Sequence, residues 1–170
     1  MAEGRRAFLL RLARGAGLAG PALALLEGRV RALPRSEETD LAVLRAAIAL
    51  EHEAIAVYDH GLRRGAFAPG LKPYAVEFRA DHLGHRDTQV AIAEERGGRA
   101  PAPRASGGPL LHGDDLLRHA LRVEVAAQQA YSALISQIRT KDYRLSAAFI
   151  LIDEVRHETV WRRVLGLSIY

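Results

Sequence analysis

Apolar residues recur at helical spacing in four separate stretches of this chain. In the first, Leu41, Leu44, Ile48, Ile55 and Tyr58 fall at intervals of three, four, seven and three. The long step leaves one core position open, and Glu51 fills it. This pattern predicts a bundle helix from about Glu37 to His60 with a carboxylate at the centre of its buried face. The second stripe is Ala75, Phe78, His82, His85, Gln89 and Ile92, so two of its core positions are histidines. Its helix starts near Pro73, which suits a first turn, and stops at about Arg96 before Gly97-Gly98. The third stripe, Leu117, Leu121, Glu124, Gln128, Tyr131, Ile135 and Ile138, predicts a helix capped by Asp114 or Asp115. The fourth runs from about Tyr143 to Leu165, with Tyr143, Ala147, Ile150, Glu154, His157, Trp161 and Val164 on one face.

The connections suggest how these helices meet. Gly61 to Gly70 forms the first, and a turn around Arg139 to Asp142 makes the last two helices antiparallel neighbours. Gly97 to Gly113 is long and holds Pro101, Pro103 and Pro109, which marks it as a crossover. A weak internal repeat supports two helical hairpins of one plan. Glu51 precedes Tyr58 by seven residues, as Glu124 precedes Tyr131; Glu51 precedes His85 by 34 and Glu124 precedes His157 by 33. The fold class expected is all-α, an antiparallel four-helix bundle over residues 36–170.

Composition agrees and narrows the chemistry. The chain is 49% hydrophobic with few aromatics, which favours helix over strand. It has no cysteine, which excludes disulfides, thiolate metal sites and a cysteine nucleophile. No serine sits in a recognisable elbow or triad. Net charge is +4, but residues 1–35 hold seven arginines against Glu3 and Glu27, so the rest is nearly neutral. A neutral body argues against nucleic acid as a partner.

Those first residues form a separate segment. Arg5-Arg6-Ala7-Phe8-Leu9-Leu10 opens a mildly apolar run to Leu26 that resembles a twin-arginine export signal. Arg11 and Arg14 interrupt it, so no stable transmembrane span is expected. The competing reading is an uncleaved amphipathic helix, which would leave the protein in the cytoplasm. Pro34-Arg35-Ser36 then breaks the chain before the bundle.

Six polar residues point at one core: Glu51, His82, His85, Glu124, Glu154 and His157. Burying them is costly unless they are paired or bind metal. A bundle that holds two metals takes a glutamate from each of two helices and Glu-x-x-His from each of the others. Such oxygen and nitrogen donors suit iron or manganese and tolerate zinc. The metal-free alternative is a hydrogen-bonded polar core. Trp161 is expected in the core; His52, His60, His112, His119, Asp87 and Glu158 are expected at the surface.

Three phrases carry a resemblance: Ala49-Leu-Glu51-His-Glu-Ala-Ile-Ala-Val-Tyr58, Phe78-Arg-Ala-Asp81-His82-Leu-Gly-His85, and Glu154-Val-Arg-His157. Over residues 37–166 the chain resembles the ferritin-like superfamily, and within it the bacterial ferritin-like domain proteins with a twin-arginine signal. The resemblance implies His85 and His157 as end ligands, Glu51 and Glu124 as terminal carboxylates and Glu154 as a bridge. It implies oxidase or peroxide- and metal-detoxifying activity, or a non-catalytic envelope bundle. Expected partners are the twin-arginine export machinery and a second copy of the chain. One departure matters: the second helix carries His82-x-x-His85 where Glu-x-x-His belongs. Three glutamates then face the four positive charges of two divalent ions, leaving about one charge unmatched. Asp81, an exogenous hydroxide or single-metal occupancy would restore the balance.

Overall fold

A computed structural model describes residues 37–103, 112–136 and 138–169. Helix α1 spans Glu37–Arg63, α2 Lys72–Glu95, α3 Gly113–Ile135 and α4 Lys141–Val164. Among the described residues there is no strand, and no helix is long and apolar enough to cross a membrane. The twin-arginine segment lies outside the described residues.

Facing side chains fix the directions. Glu51 meets Tyr131 and Tyr58 meets Glu124, so α1 and α3 are antiparallel. Asp81 meets His157 and His85 meets Asp153, so α2 and α4 are antiparallel. Glu51 meets His82 and Asp59 meets Arg79, which does the same for α1 and α2. The packed pairs are α1 with α2, α3 with α4, α1 with α3 and α2 with α4. Helices α2 and α3 therefore lie across a diagonal and run parallel. Such a pair needs a connection as long as the helix itself. The 24 residues of α2 rise about 36 Å, and the 17 residues between Glu95 and Gly113 can extend well beyond that. The first part of this crossover lies along α1. Arg45 Nε donates to the Arg99 carbonyl at 3.1 Å, and His52 Nε2 lies 3.1 Å from the Pro101 carbonyl. His52 is thus half-buried rather than at the surface.

The ends of the helices have local causes. Gly97, at φ +70°, reverses the chain after α2, and the Gly97 and Gly98 amides donate to the carbonyls of Glu94 and Ala93. Near the end of α1, Gly61 lets Phe67 pack against the helix. A Cβ there would sit 2.4 Å from the Phe67 ring. Asp40 is fully buried at the opposite end. It accepts from the Arg139 amide at 2.8 Å and from the Thr140 amide and hydroxyl at 3.2 Å, tying the start of α1 to the α3–α4 turn.

The buried faces follow the expected stripes closely. In α4 every expected residue from Tyr143 to Trp161 is buried, while Val164, in the last turn, is exposed. In α2 the stripe ends on Ala93 instead of Ile92, because a helix of 3.6 residues per turn drifts over five turns. Helix α3 stops at Ile135, yet Ile138 remains buried beyond it. Two apolar clusters result. One joins Leu44, Ile48, Ala130, Tyr143 and Ile150; the other joins Tyr58, Phe67, Phe78, Leu116 and Trp161. The polar residues form a layer between them.

Candidate metal centre

Each helix contributes to this layer from the middle of its buried face. Glu51 comes from α1, His82 and His85 from α2, Glu124 from α3, and Glu154 and His157 from α4. All six are buried, and His85, the most accessible, is 8% exposed. The structure brings together every one of the six residues that the periodicity singled out.

They form two donor groups that share two members. Glu51, His82, His85 and Glu154 make the first; His82, Glu124, Glu154 and His157 make the second. In the first, Glu51 Oε2 lies 2.9 Å from His82 Nδ1 and 3.8 Å from His85 Nδ1. Glu154 Oε1 lies 3.6 Å and 3.3 Å from the same two nitrogens. In the second, Glu124 Oε2 lies 3.4 Å from His82 Nε2 and 3.2 Å from His157 Nδ1. Ligands bound at 2.0–2.2 Å to a tetrahedral ion stand roughly 3.3–3.6 Å apart. These donor spacings are of that size.

A second test is whether the residues satisfy one another without an ion. Most do. Tyr131 donates to Glu51 Oε1 at 2.5 Å and accepts from Gln89, while Tyr58 donates to Glu124 Oε1 and accepts from Trp161 Nε1 at 2.7 Å. Glu154 is the exception. Both its oxygens, and His85 Nδ1 beside them, are buried with no aligned hydrogen-bond partner. A fully buried carboxylate without a donor is costly, and these orphaned atoms are the ones that a cation between the two groups would meet. The donor set therefore fits transition metal.

Electrostatics point the same way. Burial pushes the Glu154 carboxyl well above the usual carboxylate range; His82 opposes this, and the nearby Glu51 and Glu124 add to it. Burial pulls His82 down, but the carboxylates of Glu154 and Glu124 outweigh it and hold the imidazole well above its ordinary value. Burial would raise Glu124, yet His82 and His157 hold it well below 4.5. Without metal, the layer therefore holds protons more tightly than exposed groups of the same kinds would. Tyr58 and Tyr131 are held far above their ordinary value by burial and by Glu124 and Glu51 respectively, so their hydroxyls stay protonated donors.

An outer layer completes the arrangement. His85 Nε2 lies 3.2 Å from Asp153 Oδ2, and His157 Nε2 lies 3.1 Å from Asp81 Oδ2. Each carboxylate accepts the ring proton and leaves Nδ1 facing inward, the support that metal-binding histidines use. Asp81 is in neither donor group. It is spent on His157 and on Arg156, 2.5 Å away, and Arg156 also reaches Glu77 at 2.8 Å. The apolar stripe does not point to Asp153, which lies one position off it. A signal was present: Asp81-His82-x-x-His85 and Asp153-Glu154-x-x-His157 share an aspartate directly before the inward residue. Gln89 stood on the stripe with no role assigned. Glu158, expected at the surface, is largely buried beside Arg162, 2.5 Å away.

Comparison with known proteins bears on this geometry. A conserved hypothetical protein, rv2844, from Mycobacterium tuberculosis has a solved structure that is 28% identical, with a TM-score of 0.68. The match covers 75% of this chain and 97% of that one. No curated protein matches. The family model described as ferritin-like domain matches residues 39–167, most of the chain and all six inward residues. This chain belongs to the ferritin-like domain family.

Proposed function

We propose that the protein binds two transition-metal ions, iron or manganese, in the central layer of its bundle and serves redox chemistry with oxygen or peroxide. One observation carries this reading: the carboxylate of Glu154, buried without an aligned hydrogen-bond donor between two groups of nitrogen and oxygen donors. Glu51 and Glu124 each accept from a tyrosine hydroxyl, whereas no donor is aligned on Glu154. Bound metal would supply an electron source and a Lewis acid. Glu51, His85 and one oxygen of Glu154 would hold one ion, and Glu124, His157 and the other Glu154 oxygen the other.

The surrounding residues have definable tasks. Tyr131 and Tyr58 each occupy one oxygen of Glu51 and Glu124, which aims the other oxygen at the centre. Asp153 and Asp81 set the tautomers of His85 and His157. Phe78 stacks on His157 at 3.9 Å and, with the apolar cluster behind it, keeps water from that end.

The test is consumption of hydrogen peroxide or oxygen by protein loaded with Fe(II) under anaerobic conditions. Loaded protein should consume the oxidant and form ferric species, and Glu154→Gln should lose the reaction. Equal rates in both proteins would sink the redox reading. Export is a separate part of the proposal, supported by Arg5-Arg6 and the apolar run that follows. Residues 1–35 fused to a reporter should carry it out of the cytoplasm, and replacing Arg5 and Arg6 with lysine should stop it.

A further inference from the structure

His82 stands where the family pattern places a bridging carboxylate. Its two ring nitrogens face different donor groups. Nδ1 lies 2.9 Å from Glu51 Oε2 and 3.6 Å from Glu154 Oε1, in the group completed by His85. Nε2 lies 3.4 Å from Glu124 Oε2, in the group completed by His157. The ring is fully buried and packed edge-on to both other histidines, with centroids 5.8 Å from His85 and 5.2 Å from His157. Tyr58 stacks on its face at 5.6 Å. The side chain is held with one nitrogen toward each group.

We infer that His82 is a two-ended ligand, giving Nδ1 to one metal ion and Nε2 to the other. This rests on the metal reading above and gives the substituted residue a specific role in it. Charge favours it independently. Two divalent ions bring four positive charges, and Glu51, Glu124 and Glu154 return three. A ring that binds at both nitrogens breaks both N–H bonds, passes those protons to solvent and forms two metal–nitrogen bonds. It then carries the fourth negative charge. Bound cations drive such deprotonation because their own charge dominates the local field. Asp81 and Asp153 are poorer candidates for the missing charge: they lie outside the histidines, partly exposed, and Asp81 is paired with Arg156.

The consequence is a distance. Ions joined through an imidazole ring stand roughly 6 Å apart, two bonds of about 2.0 Å plus the span of the ring. Pairs in two-metal sites with no ring between the ions stand about 3.5–4 Å apart. The experiment is a crystal structure of the full chain loaded with Co(II), with ions located by anomalous scattering. Two peaks on opposite sides of the His82 ring, roughly 6 Å apart, are expected. Loading His82→Glu should shift the separation to about 3.5–4 Å. Two peaks about 3.5–4 Å apart in the unaltered chain, or one peak on a single nitrogen of His82, would overturn the two-ended role and leave the metal reading standing. No peak at all would overturn both.

Discussion

At the scale of single residues, metal binding turns on Glu154. Its carboxyl is pushed up by burial, so ionisation opposes folding in the metal-free protein. Glu154→Gln keeps the shape and cannot ionise. It should cut metal affinity at least about tenfold, as loss of a ligand does. It should also leave metal-free stability at pH 8 unchanged or raised, because the amide cannot ionise in the buried layer. Urea unfolding in chelator checks this, and a large destabilisation would contradict the assignment. The outer carboxylates behave differently. Asp153→Asn or Asp81→Asn should preserve the fold and weaken metal binding about 10- to 100-fold, because each orients a histidine without being a donor itself. Isothermal titration of the variants with Co(II) measures the change.

The same residues fix the pH dependence of the metal-free form. His82 and Glu154 both bind protons more tightly folded than unfolded. The stability they contribute is fully present below their unfolded values, 6.5 and 4.5, and is lost as pH rises through their higher folded values. Glu124 has the opposite sign. Its contribution is present above 4.5 and lost as pH falls through its depressed folded value. Metal-free protein should therefore be most stable in mild acid and weaken from neutral to alkaline pH. Metal should reverse the alkaline loss, with proton release on binding. Unfolding midpoints in chelator at pH 5.5 and pH 9 test the sign; a higher midpoint at pH 9 would contradict it.

At the scale of helices, the four faces were legible because each buries one stripe, and a period of three and four writes it plainly. Glu51, Glu124, Glu154 and His157 were visible as polar breaks in apolar stripes. The outer layer was not, since Asp153 reaches around from an adjacent, partly exposed position. Asp40 was also illegible: nothing local marks its partners, which lie about a hundred residues away. Asp40→Ala leaves the Arg139 and Thr140 amides without their acceptor and removes the tie between α1 and the α3–α4 turn. It should cost about 1–3 kcal/mol, read as a lower unfolding midpoint with metal binding kept, because the layer is more than two helical turns away along α1.

At the scale of the whole molecule, the crossover between α2 and α3 makes the site possible. It sets those helices parallel on a diagonal, so the two hairpins face each other and their glutamates and histidines meet across the centre. Apolar clusters then close both ends of the polar layer. A bundle divided in this way should be held together by what occupies its middle. The decisive measurement is elemental analysis of purified protein before and after chelation, with thermal unfolding of both samples. Two iron or manganese ions per chain are expected, with a clear fall in the unfolding temperature once they are removed. Protein that carries no metal, takes none up, and unfolds at the same temperature after chelation would contradict it.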